Sequence, residues 1–293
     1  MNRFVFTAMI ALLAPGIAHA QLNVATSFSM LEDIVGNVGG SRVKITNFVP
    51  RNGDAHTYQP STQDVKNLSS AKLVFVNGLG LEAWFKKLLS NSASQATIVT
   101  VSSGLTARKI DVGAETGETD PHMWWNLQNT VAYAKNIRDA LNKADPAGKA
   151  VYTANAAKYT RDLANLDAWA TREVRKIPAQ SRKLVTNHDA LGYFADRYGF
   201  TVLGNVIPSF GTESEPSAKE TAALIDNIRR NNVKAIFTEN IIPPKLVAQV
   251  AAETGAKVAP PLHTDALGEI GSSGDTFLKA FRHNVTTIVA ALE

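Results

Sequence analysis

Three histidines and one aspartate occupy loops where chemistry could be assembled. His56 ends Arg51-Asn52-Gly53-Asp54-Ala55-His56, and His122 lies in Asp120-Pro121-His122-Met123-Trp124-Trp125. His188 follows Thr186-Asn187, and Asp265 closes Pro260-Pro261-Leu262-His263-Thr264-Asp265. Three neutral imidazoles and a carboxylate suit a borderline divalent cation such as Zn²⁺ in a tetrahedral shell. The chain has no cysteine, so thiolate ligands, thiol nucleophiles and disulfides are excluded, and a transition-metal site must use His, Asp and Glu. Spacing alone does not establish such a site. Each lone histidine reads equally as a hydrogen-bonded loop residue, and no HExxH, GxSxG, P-loop or GxGxxG pattern supplies a local signal. His263, two residues from Asp265, is an alternative ligand at that position, and His283 reads as a surface residue of the last helix.

The elements that must carry these residues alternate between strand and helix. Leu22 to Thr26, Val43 to Val49, Leu73 to Val76 and Thr97 to Val101 read as strands. Helical patterns run from Met30 to Gly39, Thr62 to Ala71 and Leu81 to Leu89. Farther on, strands are expected at Leu184 to Thr186, Phe200 to Val206, Val233 to Thr238 and near Val258. Helices are expected at Ala190 to Tyr198, from the Ser217/Glu220 capping box to Arg230, at Pro244 to Thr254 and at Asp275 to Leu292. Such alternation argues for parallel sheets covered on both faces by helices. His56, His122, His188 and Asp265 all fall beyond the carboxyl ends of these strands, where open α/β sheets place their ligands.

One stretch interrupts the alternation. Asp145 reads as an N-cap with Pro146 at the first helical position, and Val151, Ala154, Tyr159, Leu163, Leu166, Trp169 and Val174 recur at helical spacing until Pro178. A helix over 146–177 would measure roughly 48 Å at ~1.5 Å per residue. It reads either as one long surface helix of a single domain or as a rigid spine between two α/β lobes. The expected division is a leader over 1–20, a first lobe over 21–145, a linking helix over 146–178 and a second lobe over 179–293. Two of the four candidate residues would come from each lobe, placing their meeting point in the cleft.

The chain ends and its charge narrow the setting. Asn2 and Arg3, an apolar run from Phe4 to Leu13 and Ala18-His19-Ala20 have the form of a secretory signal peptide cleaved after Ala20. That run is too short for a bilayer core of ~30 Å. No cysteine follows it, so a soluble periplasmic protein without a lipid anchor is expected. A formal charge of +4 from scattered basic residues, with no basic stripe interleaved with aromatics, argues against a nucleic-acid partner.

The blocks around the four residues resemble the metal-binding solute-binding proteins of zinc and manganese ABC importers. Gly53-Asp54-Ala55-His56-Thr57-Tyr58-Gln59-Pro60-Ser61 is similar to that family's first ligand block, and Asp120-Pro121-His122-Met123-Trp124 to its second. Thr186 through Phe194 resembles the third, and Thr264-Asp265-Ala266-Leu267-Gly268 the fourth; Glu215-Pro216-Ser217 and Phe237-Thr238-Glu239-Asn240 also resemble family phrases. The resemblance spans essentially the whole mature chain. It implies two similar lobes joined by a rigid helix and a metal held between them by His56, His122, His188 and Asp265. It also implies capture rather than catalysis, an ABC permease in the inner membrane as partner, a metallochaperone as a second candidate partner, and a monomer.

Zinc-specific members often carry a His-rich loop before the second block, whereas Asp111 to Asp120 here is acidic and has no histidine. Manganese-selective members usually have Glu at the third ligand, whereas His188 stands here, and an added imidazole favours Zn²⁺ over the harder Mn²⁺. Zinc is therefore the expected metal and manganese the alternative. Glu239 and Asp120 are candidates to accept the second ring N–H of a ligating histidine, with Asp120 equally readable as a turn cap. Trp124 and Trp125 read as packing beside the site. Two rival functions are a periplasmic metallohydrolase with Glu239 as general base and a binder of organic ligands with incidental histidines.

Overall fold

A computed structural model describes residues 20–109 and 117–293; the signal-peptide expectation and the 111–116 part of the acidic loop fall outside the described residues. The chain opens with β1 (Leu22–Phe28), α1 (Ser29–Gly39), β2 (Val43–Val49), α2 (Thr62–Ser70), β3 (Leu73–Val76), α3 (Phe85–Ser90) and β4 (Thr97–Thr100). The four strands pair in parallel in the order β2-β1-β3-β4. The unbroken apolar run of β3 has a simple cause. Leu73 and Phe75 enter the main core on one face, while Val74 and Val76 enter a second core with Phe48, Leu68 and Leu88 on the other. Ser61 caps α2 by accepting from the Asp64 amide, and Asp64 reciprocates with the Ser61 amide, as the Pro-Ser start leads one to expect.

Three sequence expectations change here. Residues 81–84 form a turn rather than the start of α3, because the buried Glu82 carboxylate accepts from the Asn77 and Gly78 amides and from the Ser27 hydroxyl. An 18-residue helix, α4 (Leu127–Ala144), occupies a stretch for which no element was expected. Its buried residues Leu127, Thr130, Tyr133, Ala134, Ile137 and Leu141 follow a helical period, and Asn126 caps it. The long helix is shorter than expected: α5 (Lys149–Val174) has 26 residues, or roughly 39 Å at ~1.5 Å per residue. Pro146–Gly148 instead make a separate 3₁₀ turn capped by Asp145, whose carboxylate also holds Arg42 and Tyr152. The buried face of α5 runs through Tyr152, Ala156, Tyr159, Leu163, Leu166, Ala170 and Val174, so Val151 and Ala154 turn outward and Trp169 is only half-buried.

Beyond α5 come β5 (Lys183–Thr186), α6 (Gly192–Tyr198), β6 (Thr201–Asn205), α7 (Ala218–Arg230), β7 (Ala235–Glu239), α8 (Lys245–Thr254), β8 (Lys257–Leu262) and α9 (Phe277–Leu292). The strands pair in parallel as β5-β6 and β7-β8, with β5 packed beside β7. Leu184 and Phe237 face the main core, while Val185 and Ile236 face a separate cluster under α7 and α8. β8 tolerates Pro260 and Pro261 because they fall where its pairing with β7 is irregular, between the Phe237–Ala259 and Glu239–Leu262 partners. The expected Ser217/Glu220 capping box opens α7. The architecture is thus α/β, with parallel strands and flanking helices on either side of α5. That helix packs against α1, α4 and α9, and Asp167 on it takes Arg197 and Tyr198 of α6, so one continuous core spans both sides.

Candidate metal centre

Each candidate residue is delivered by the loop at a strand's carboxyl end. The loop after β2 turns at Gly53, and its Asp54 carboxylate accepts from the His56 amide at 2.8 Å. Asp120 holds its neighbour twice: Oδ1 takes both the His122 amide and His122 Nδ1 at 2.9 Å. Glu239, the last residue of β7, does the same from another element, accepting the His188 amide at 2.9 Å and hydrogen-bonding His188 Nδ1. Asp265 follows β8 by three residues. Thr264 before it is fixed on both sides: its hydroxyl donates to Glu239 Oε2, and its carbonyl accepts from the indole N–H of both Trp124 (3.1 Å) and Trp125 (3.0 Å).

The four side chains converge. One donor atom from each of His56, His122, His188 and Asp265 lies within 4.8 Å of the others, the only such group of His, Asp and Glu among the described residues. His56 Nε2 is 3.4 Å and His188 Nε2 3.0 Å from Asp265 Oδ2; His122 Nε2 is 3.5 Å from Asp265 Oδ1, and His56 and His122 Nε2 are 3.3 Å apart. Donors bound at ~2.0–2.1 Å to one tetrahedral ion stand about 3.3–3.4 Å from each other, so the cage fits such an ion. All four side chains are buried or nearly so. His188 Nε2 and both Asp265 oxygens are nevertheless buried without an aligned hydrogen-bond partner, a costly state in a metal-free polar pocket and a natural one for atoms that bind a cation. With Nδ1 donated to Asp120 or Glu239, the neutral ring of His122 or His188 has its lone pair on Nε2, facing the cage.

Charge follows the same geometry. Burial opposes the charged form of Asp265, but His188 and His122 overcome it and hold its carboxyl well below the usual carboxylate range. Burial likewise opposes a charged His188, yet Glu239 and Asp265 raise it well above the usual histidine value. His263 does not replace Asp265. Its ring packs beside His283, 5.2 Å between centroids, and against Gly268 and Gly274; burial, then His283, push it down to about 4. His283 is half-exposed, bonded to Ser273 and the Pro261 carbonyl. The indole bonds to Thr264 carry no sequence signal, because their partners lie about 140 positions apart along the chain.

The profile of the family described as zinc-uptake complex component A, periplasmic, matches residues 24–291. The chain belongs to that family. It is 34% identical over 271 residues to the manganese-binding lipoprotein MntA of Halalkalibacterium halodurans, covering 92% of this chain and 88% of that one. The periplasmic zinc-binding protein TroA of Treponema pallidum superposes with a TM-score of 0.86 at 31% identity, over 93% of this chain and 99% of that one. A Mn-bound periplasmic metal-binding protein of Candidatus Liberibacter asiaticus gives 0.84 at 30% identity, over 93% and 100%. Membership makes the chain a metal-binding substrate-binding protein of the ABC-transporter type and not an enzyme, which removes the metallohydrolase reading. No helix among the described residues is long and apolar enough to cross a membrane.

Proposed function

We propose that this family member captures Zn²⁺ outside the cytoplasmic membrane, through His56, His122, His188 and Asp265, and delivers it to an ABC permease. The observation that carries the reading is the buried cage of three Nε2 atoms and one carboxylate, all within 4.8 Å of one another, with buried donor atoms left without partners. Four protein ligands saturate a tetrahedral ion and leave no position for a reacting water, which suits capture and release. Asp120 and Glu239 orient His122 and His188 in this reading. The residue boundaries 21–145, 146–178 and 179–293 are proposed as the two lobes and their link. Release as a soluble periplasmic protein after Ala20 is proposed too, although several relatives are named lipoproteins; the chain contains no cysteine to carry lipid. The relatives named here point to no metallochaperone.

Manganese is the second reading, favoured by the manganese-binding names of several relatives about one-third identical to this chain. Competitive titration of metal-free protein with Zn²⁺ and Mn²⁺ separates the two. Tighter, stoichiometric Zn²⁺ with an absorption-edge spectrum of three nitrogens and carboxylate oxygen supports zinc. Equal or tighter Mn²⁺, with a larger coordination number, would overturn the preference while leaving the site intact.

A further inference from the structure

The loops that carry His56 and Asp265 are tied to each other by residues outside the cage. After Asp265, three consecutive carbonyls each accept from a different donor. Ala266 O takes Asn240 Nδ2 at 3.1 Å, Leu267 O takes the Asn52 amide at 3.0 Å, and Gly268 O takes Arg51 Nη1 at 2.8 Å. Arg51 Nη1 also reaches the Asp275 carbonyl at 2.7 Å, closing the 268–275 loop, which is itself pinched by the Gly268 amide on Gly274 O at 3.0 Å. Asn52 sits at φ 55°, a left-handed conformation that asparagine tolerates. Its side chain donates to Glu269 Oε1 and accepts from Asn240 Nδ2, both at 2.9 Å. The Arg51 charge also opposes the rise that burial gives the Glu32 and Asp33 carboxyls on α1.

We infer that Arg51 and Asn52 form a latch between the two ligand-bearing loops and so set how fast a bound metal leaves. The inference rests on the metal-capture reading for its functional half. His56 lies five residues beyond Arg51, and Asp265 lies three residues before Gly268. The two ligands can separate only if these bonds break or both loops distort, so the latch and the cage open together. The residues touch no metal; they are positioning residues. A guanidinium bonded to two carbonyls loses much more than a neutral donor would when it is removed.

The test uses the full mature protein, with Arg51→Met keeping the apolar stem, Asn52→Gly keeping the left-handed backbone, and Lys158→Ala on the exposed face of α5 as control. Zn²⁺ and Mn²⁺ release into excess chelator is timed, association and stoichiometry are measured separately, and hydrogen exchange is followed in metal-free protein. Release is expected to accelerate about tenfold or more in Arg51→Met and less in Asn52→Gly, with stoichiometry and association near wild type. Faster exchange is expected in 266–276, and Lys158→Ala should match wild type in every readout. Release and exchange both unchanged in the two latch variants, with wild-type stoichiometry, would overturn the latch. If wild type takes up no metal, the capture reading fails on that result, and the exchange of 266–276 alone then decides the latch. A general loss of folding would instead lower stoichiometry and speed exchange in all segments alike, and Asn52→Gly, which retains Arg51, resolves that case by its own release rate.

Discussion

His122 and His188 come from opposite sides of α5 and are built alike: each gives its amide and its Nδ1 to one buried carboxylate. The surroundings of those carboxylates differ. Asp120 lies 3.4 Å from the Arg108 guanidinium, which continues to Asp196 on α6 at 3.0 Å, and the Asp120 carbonyl accepts from Tyr193 OH. Among the described residues Glu239 forms no ion pair with a lysine or arginine; it has only His188 and the Thr264 hydroxyl. A carboxylate balanced by a cation pulls less strongly on a proton than one left to the imidazole. Burial opposes a charged His188, and the carboxylates of Glu239 and Asp265 raise it nonetheless. The Glu239 side of the cage is thus where protons and metal compete.

The largest effect to expect is loss of a cage residue. Asp265→Ala and His188→Ala should weaken Zn²⁺ binding beyond the ~10–100-fold typical of outer-shell changes, as read by competitive chelation. Wild-type affinity in both would refute the site. The pH dependence comes next. His188 is raised, so in the metal-free protein it carries a proton at neutral pH that the metal must displace. Affinity should therefore fall by about tenfold per pH unit on acidification, starting above the ordinary histidine value of ~6.5. A titration flat from pH 7.5 to 5 would contradict this. The same pair fixes the stability of the metal-free form. Its contribution from the raised His188 is complete below ~6.5 and is lost as pH rises through the folded value, whereas that from the depressed Asp265 is complete above ~3.9 and lost as pH falls through its folded value. Thermal melts of metal-free protein should show that contribution intact between about pH 4 and 6.5, and metal should move the optimum toward neutrality.

Smaller effects sharpen the contrast between the two sides. Glu239→Gln should weaken Zn²⁺ by about 100-fold and shift the pH dependence to lower pH, while Asp120→Asn should cost nearer tenfold. Equal losses of affinity in the two variants would erase the difference between the two sides. Arg108→Gln reaches the cage through Asp120 and should change affinity by about two- to fivefold, measured by the same chelator competition.

Much of this was legible beforehand where the signal is local. The alternating strands and helices, the Ser217/Glu220 capping box, and the placement of four candidate residues beyond strand ends all depend on contiguous patterns, and seven of the eight strands begin within two residues of expectation. The eighth, β8, was placed only near Val258, which it contains. Helix α4 carries a readable period at Thr130, Tyr133, Ile137 and Leu141, whereas the turn at 79–84 has no local signal, because buried Glu82 reaches back to Asn77 and across to Ser27. The stripe of α5 starts at Tyr152 rather than Val151, because the Tyr152 hydroxyl donates to Asp145.

By itself the chain order determined which residue types could bind a metal, by omitting cysteine and placing His56, His122, His188 and Asp265 in loops after strands. Tertiary structure alone decided that they meet, that Asp265 rather than His263 completes the cage, and that Arg51 reaches Gly268 across 217 positions. The physical reason is range. Propensity, capping and periodicity act within a few residues, while coordination, charge balance and burial depend on which distant loops the packed core brings to the same few ångströms.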